Sequence, residues 1–322
     1  MIHLIPEDVV FPLSDQQTHS PEKDAYWQES FVLLWGDPSG DYGGFLRLGY
    51  APNLLAGDTT LWCHAFTPKW VYGSSRDFAL RSDDVGKSLL KAGEAARYEF
   101  DGEDTRWVHS DDEVTIDLQS TLLHPPVALW RPQDSFHRYP HYEAACRVKG
   151  RLSIRGDTVE VDALGYRDHS WGVRHWWKRK THRWLNGVFG PDLSMCLLTF
   201  HSDGDNIRRL GYVVRDGVVH YSQEIDIVAH MEADGATHRG GTASIVLESG
   251  ECLNFEIEPM CEGFYAYRKG SGLFESICRI RHQGRVGIGD FELSENSRMG
   301  QLPATSLING IEQDGVHPRR TP

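Results

Sequence analysis

The sequence has no stretch approaching the roughly 20 consecutive apolar residues that a membrane-spanning helix needs, so no integral membrane association through helices is expected. It also has no excess of positive charge. Its 33 Lys and Arg stand against 46 Asp and Glu, for a formal net charge of −13. Nucleic-acid binders carry a basic footprint and anionic membranes attract basic segments, so both partner classes are disfavoured. Cysteine is sparse and scattered, at Cys63, Cys146, Cys196, Cys252, Cys261 and Cys278, with no C-x-x-C pair. That spacing excludes a zinc ribbon or a thioredoxin-type motif and makes free, mostly buried thiols the expected state. Residues 1–15 lack the basic start and apolar run of a signal peptide, and the expectation is a reduced, cytoplasmic protein. Phosphate-cradling loops are missing too: neither Gly270-Ser271-Gly272 nor the stretch from Gly284 to Gly289 follows a dinucleotide or P-loop pattern. Ser170 lacks the Gly-x-Ser-x-Gly elbow of a serine nucleophile. No cofactor is expected.

Helical periodicity is scarce. The best candidate is Asp83 to Arg97, with Leu89, Leu90 and several alanines, although Gly86 and Gly93 weaken it. What the chain has in quantity is aromatic residues and glycine: 10 Trp, 12 Tyr, 13 Phe and 32 Gly. Aromatic and β-branched residues favour strands. Short apolar or alternating runs recur along the whole chain: Ser30 to Trp35, Gly44 to Tyr50, Thr59 to Phe66, Glu113 to Leu123, Tyr142 to Ile154, Thr158 to Leu164, Leu193 to His201, Arg209 to Val214, Ser276 to His282 and Arg285 to Leu293. Turn signals separate them, among them Arg155-Gly156-Asp157, Arg215-Asp216-Gly217 and Gln283-Gly284. Such spacing predicts an all-β protein of antiparallel barrels or sandwiches with few short helices. A length of 322 residues accommodates two medium domains. The halves are loosely alike, each opening on an aromatic strand and each holding a Leu-Gly-Tyr strand, at Leu48 to Tyr50 and Leu210 to Tyr212. The expected division is residues 1–180 and 181–322, near the basic stretch Lys178 to Arg183.

The densest chemistry lies in Gly165-Tyr166-Arg167-Asp168-His169-Ser170-Trp171-Gly172 and runs on to Trp176 and Trp177. If side chains alternate through Gly165, then Arg167, His169 and Trp171 share the face of Val159, Val161 and Ala163, while Tyr166, Asp168 and Ser170 share the other. A bulge at Gly165 would reverse this. An Asp buried among aromatics has its pKa raised and keeps a proton to donate. Indole and phenol faces stabilise a cation by about 0.5–2 kcal/mol per contact. The alternative is structural: Asp168 pairs with Arg167 or Arg174 and the tryptophans pack a corner. His169, His175 and His182 fit no compact zinc spacing, so no metal is expected. Upstream, Phe136 to Glu143 leads into the strand that hairpins with Thr158 to Leu164, which brings His141, Tyr142 or Glu143 near Asp168.

The octapeptide from Gly165 to Gly172 resembles a motif of tandem lipocalin-like proteins, similar to the carotenoid 1,2-hydratase, kievitone hydratase and AttH group, in which two calycin-like β-domains pack side by side. The resemblance implies two packed antiparallel lipocalin-like β-domains, a hydrophobic pocket, and acid-initiated chemistry on an isoprenoid-like alkene. A Tyr-x-Asp pair belongs to the site proposed for hydratases of that group, and Tyr166 and Asp168 match it. His141 is the nearest counterpart of the group's upstream His, although no His-x-Trp stands there. The catalytic candidates are thus Asp168, Tyr166 and His141, with Trp171, Trp62, His64, Tyr142 and Trp184 as substrate-binding candidates. The expected activity is that of a hydratase, dehydratase or isomerase: Asp168 protonates an alkene, aromatics shelter the cation, and water adds or a proton leaves. The competing readings are a non-catalytic lipocalin-type binder of a hydrophobic small molecule and a sugar-binding β-protein with Trp stacking platforms.

Overall fold

Some strands alternate buried and exposed residues, as from Val114 to Leu122 and from Cys252 to Pro259, while others, as from Trp27 to Gly36, are buried on both faces. In the computed structural model, residues 11–54, 57–129, 140–175, 179–202, 207–234, 236–268, 271–296 and 317–318 are described. The chain divides into two units, Met1–Arg174 and His175–Pro322, and both are all-β. No helix among the described residues is long and apolar enough to cross a membrane. All six cysteines are free thiols, and Cys63, Cys146, Cys196 and Cys278 are buried.

The first unit contains β1 (Trp27–Gly36), β2 (Gly43–Ala51), β3 (Asp58–Phe66), β4 (Val71–Ala79), β5 (Val85–Gly86), β6 (Leu89–Ala92), β7 (Ala96–Phe100), β8 (Thr105–Ser110), β9 (Val114–Leu122), β10 (Val127–Ala128), β11 (His141–Ile154) and β12 (Asp157–Val173). They form one curled sheet in the order β4-β3-β2-β1-β12-β11-β9-β8-β7-β6-β5, with β10 added to β11. The segment from Asp83 to Arg97, expected to be helical, is instead β5, β6 and the start of β7. Its burial alternates along β6 and β7, and Gly93 turns the chain between them at φ +57°. The two leucines and the alanines therefore serve a period of 2 rather than 3.6.

The second unit contains β13 (Arg179–Gly190), β14 (Leu193–Ser202), β15 (Ile207–Arg215), β16 (Val218–Met231), β17 (His238–Leu247), β18 (Cys252–Pro259), β19 (Phe264–Arg268), β20 (Ser271–Glu275), β21 (Ile277–His282), β22 (Arg285–Asn296) and the two-residue β23 (His317–Pro318). Pairing of β13 with β22 closes β13 to β18, β21 and β22 into an eight-stranded barrel, which removes the open edge. Leu185, Phe189, Met195, Leu197, Ile245 and Phe291 are among its core residues. The Leu-Gly-Tyr triplets do not occupy equivalent strands: one is on β2, the second strand of its unit, the other on β15, the third. Apart from β23, the C-terminal stretch Gln313 to Pro322 lies outside the described residues, as do Phe136 to Tyr139, Trp176 and Trp177.

Three hairpins use the turns that the dipeptides predict. Arg155-Gly156, Asp216-Gly217 and Gln283-Gly284 all have positive φ at both residues, the type I′ geometry whose twist matches the flanking strands. The first joins β11 to β12, and β12 then runs with unbroken register against β1 and β11. Gly165 is no bulge. It is a point of close approach: a Cβ there would meet Val148 Cγ2 at 2.6 Å and the Leu34 carbonyl oxygen at 2.7 Å. Gly165→Ala should destabilise the protein by about 1–3 kcal/mol through overpacking. Chemical denaturation measures this, and an unshifted midpoint would contradict it.

Candidate active site

Unbroken register sorts the motif onto two faces. On the concave face, Arg167, His169 and Trp171 join a core of Trp27, Phe31, Trp35, Tyr98, Trp107 and Val161. On the convex face lie Tyr166, Asp168 and Ser170. Cross-strand pairing extends that face into rows. One row runs Trp62–Arg47–Val32–Asp168–Glu143 across β3, β2, β1, β12 and β11. The row on one side is His64–Phe45–Leu34–Tyr166–Ala145, and on the other Thr60–Gly49–Ser30–Ser170–His141. Most of these side chains are buried, including Trp62, His64, Tyr166 and Glu143.

Asp168, Glu143 and His141 meet on this face. His141 Nε2 donates to Asp168 Oδ2 in a short hydrogen bond, and Glu143 Oε1 lies 3.4 Å from the same nitrogen. Hairpin β11–β12 explains the meeting: Glu143 is directly opposite Asp168, and His141 is opposite Ser170, one same-face step away. Burial disfavours charge on His141, but attraction and hydrogen bonding to Asp168, then Glu143, outweigh it and raise its pKa to about 10. Burial likewise favours neutral Asp168, yet His141, with a smaller contribution from Arg174, holds this carboxyl below its usual range. At neutral pH the pair is therefore imidazolium and carboxylate, with the proton on His141. Asp168 is not the protonated acid expected from burial alone, and Arg167, on the opposite face, is not its partner.

This pairing has a consequence for stability. A raised imidazole pKa adds stability that is fully present below about pH 6.5, the unperturbed value, and that is lost as pH rises through about 10. Asp168→Asn should move the His141 midpoint down and weaken that alkaline dependence, leaving only the part that Glu143 supplies. Imidazole NMR titration reads the midpoint directly, and a value still near 10 would show that Asp168 does not hold the proton.

The remaining candidates separate. Tyr166 shares the convex face two residues from Asp168, and Trp62 and His64 share it three strands away, about 14 Å along the sheet. The Arg47 guanidinium lies 4.5 Å from the centre of the Trp62 ring. Trp171 and Tyr142, expected beside the acid, belong to the concave face with His169. Each stands at an odd-step offset from Asp168 on the paired strands, which turns it away. Trp184 lies in the second unit, on β13 opposite Glu292.

Sequence reasoning missed a second polar group, on the concave face. His19 Nδ1 and His169 Nε2 both donate to Glu29 Oε1, at 2.7 and 2.8 Å, and Tyr142 OH donates to His169 Nδ1 at 3.2 Å. The His19 ring stacks on Trp171 with centroids 3.7 Å apart. Burial raises the Glu29 pKa, but these imidazole donors bring it below the usual value. Burial lowers that of His169 to about 4, so its ring is neutral. The ligand atoms of His19, Glu29 and His169, and those of His141, Glu143 and Asp168, lie within 4.8 Å of one another, so either trio has the span of a metal site. In the first, both imidazoles are already bonded to the carboxylate, which needs no ion. Pro12 to Tyr26 offered no strand pattern, and nothing local in it signalled that His19 would reach Glu29.

One family model, described as "Domain of unknown function (DUF7064)", matches residues 12–297. No curated protein sequence matches the chain. Solved structures share the fold, and they include the following three. An AttH-type protein from Nitrosomonas europaea is 15% identical with a TM-score of 0.69, covering 91% of this chain and 98% of its own. The protein CghA, solved with Sch210972, is 11% identical with a TM-score of 0.63, covering 91% and 97%. Kievitone hydratase from Nectria haematococca is 12% identical with a TM-score of 0.60, covering 92% and 95%. At these identities the likeness is one of fold, and it spans both units.

Proposed function

The chain belongs to the DUF7064 family, and we propose that it is a hydratase, dehydratase or isomerase acting on a hydrophobic, isoprenoid-like alkene. The observation that carries this reading is the His141–Asp168 pair, a proton held between two side chains on the motif strand and its hairpin partner. Support also comes from the neighbours' names, one of which is a hydratase. The pair holds one dissociable proton at neutral pH. Its delivery to an alkene carbon leaves neutral His141 and the Asp168 carboxylate, whose negative charge then faces the new carbocation. Capture by water, or loss of a proton from the adjacent carbon, returns the proton to the pair. Tyr166 lies on the same side of the sheet as the pair, where a cation gains about 0.5–2 kcal/mol from a well-placed ring. The carrier reading has less support: aromatic side chains fill the concave face, where a lipocalin-type ligand would sit.

The test is isotopic. Purified protein is incubated with a panel of isoprenoid alkenes in deuterated water, and products are analysed by mass spectrometry. Deuterium at carbon is expected with the wild type and not with Asp168→Asn, while the variant stays folded. Equal incorporation by both would refute the proposal.

A further inference from the structure

The second unit holds a buried carboxyl cluster that the reading above leaves unused. Asp290, Glu292 and Ser294 alternate along β22, opposite the face that Phe291 and Leu293 bury in the barrel core. Glu275 ends β20, which pairs with β22. His182, Trp184 and Asn186 present the matching face of β13, with His182 opposite Ser294 and Trp184 opposite Glu292. Glu275 and Asp290 are fully buried. His182 Nε2 meets Glu292 Oε1, and its Nδ1 meets the Ser294 hydroxyl, both in short hydrogen bonds. No arginine or lysine ion pair to Glu275 or Asp290 occurs among the described residues.

Two carboxylates brought together without a cation repel, and burial multiplies the cost. Glu275 is in hydrogen-bonding contact with both Asp290 and Glu292. Yet Glu275 Oε2 and Asp290 Oδ2 meet no N–H or hydroxyl donor among the described residues. A carboxyl–carboxyl contact of this kind is bonding only if one side carries a proton. Burial first, then the neighbouring acids Glu292 and Asp290, push Glu275 well above the usual range, and burial lifts Asp290 to about 6. The titratable groups that face the contact are Glu292, His182 and the buried Cys278 thiol.

A second observation points outward from the acids. Asn186 accepts the Asp290 backbone N–H through Oδ1 at 3.2 Å, and the Ser276 backbone N–H donates to Asp290 Oδ1 at 3.1 Å. Both residues thus brace Asp290 and both are buried, but Asn186 Nδ2 and Ser276 Oγ have no partner among the described residues. Buried donors without partners are costly, and two of them beside an acid are suited to an acceptor that arrives from outside.

We infer that Glu275 and Asp290 share one proton and form a carboxylic acid that serves the oxygen of an apolar ligand bearing a hydroxyl or carbonyl group, with Asn186 Nδ2 and Ser276 Oγ holding that oxygen. In the transfer, the Glu275 O–H bond breaks and an O–H bond forms on the ligand oxygen. The two carboxylates left behind repel, which favours return of a proton to the pair. This acid stands independently of the role given to His141 and Asp168.

Infrared spectroscopy of the whole protein tests it. At neutral pH the wild type should show the carbonyl band of a protonated carboxyl group. Glu275→Gln should abolish the band, since the new amide donates to Asp290 and leaves it ionised. Asp290→Asn should retain a band at an altered frequency, because burial still protonates Glu275 against an amide partner. Nerolidol, farnesol or β-ionone should shift the wild-type band on binding. Absence of the band, its survival in Glu275→Gln, or no shift with any of the three probes overturns the inference. None of these readouts depends on Asp168, so failure here and failure of the proposed alkene chemistry are separable.

Discussion

His141→Gln and Asp168→Asn should each lower turnover by about 100- to 10,000-fold, the usual contribution of a positioned acid, and the double variant should fall no further. The expectation follows from the proton count. One proton is held between Nε2 of His141 and Oδ2 of Asp168. Removing the imidazole removes the proton's resting place; removing the carboxylate removes what keeps it there. Either loss disables the same step, so the effects are not additive. Additive losses would mean two separate steps, and a small loss in His141→Gln would return the donor role to Asp168 alone. Glu143, 3.4 Å from the imidazole, offers the internal control: with Asp168 replaced, it alone still favours the imidazolium, so the His141 midpoint falls below the wild-type value, and the residual turnover, no longer running through this proton, should not titrate with it. A pH–rate profile of Asp168→Asn reads this.

What the chain discloses on inspection is governed by distance along the backbone. Alternation along Thr158 to Trp171 and the turn at Arg155-Gly156 are local, and together they bring His141 to Asp168, since a hairpin's register follows from its turn. The same logic assigns Tyr166 to the face of Asp168. What it does not disclose is which nonlocal group stands beside a charge. Arg167 is adjacent in sequence and on the wrong face; His141 is 27 residues away and in contact. The proton sits on the imidazole for that reason, although burial alone argues for a neutral acid at Asp168. The same alternation puts Trp171 on the face opposite Asp168, and Tyr142 joins it there because β11 pairs it with His169. Asp290 and Glu292 went unnoticed because Asp-Phe-Glu-Leu reads as an ordinary strand with one wet face, and burial of that face depends on contacts far from it in sequence. The misplaced helix at Asp83 to Arg97 has a similar origin: Leu89-Leu90 suits either period, and the neighbours β6 finds in the curled sheet decide between them.

Arg167→Ala should destabilise the protein by about 3–5 kcal/mol, and Arg167→Met should cost far less. The guanidinium is fully buried, with no carboxylate in ion-pair range among the described residues. It donates to Gln16 Oε1 in a short hydrogen bond and to Tyr98 OH at 3.3 Å, and it lies 5.8 Å from the ring centres of both Tyr98 and Trp107. Truncation to alanine leaves a cavity among large aromatic side chains and strips Gln16 of its donor, two penalties of the kind that dominate large stability losses. Methionine keeps most of the stem's volume and removes a buried charge whose desolvation offsets much of what its contacts contribute. The two substitutions therefore separate volume from charge, and chemical denaturation measures both. Because Arg167 projects to the face opposite Asp168, Arg167→Met should also leave the His141 titration midpoint unchanged. A shift in that midpoint would mean that the arginine's field reaches through the sheet and that the proton on His141 is set by more than its two carboxylates.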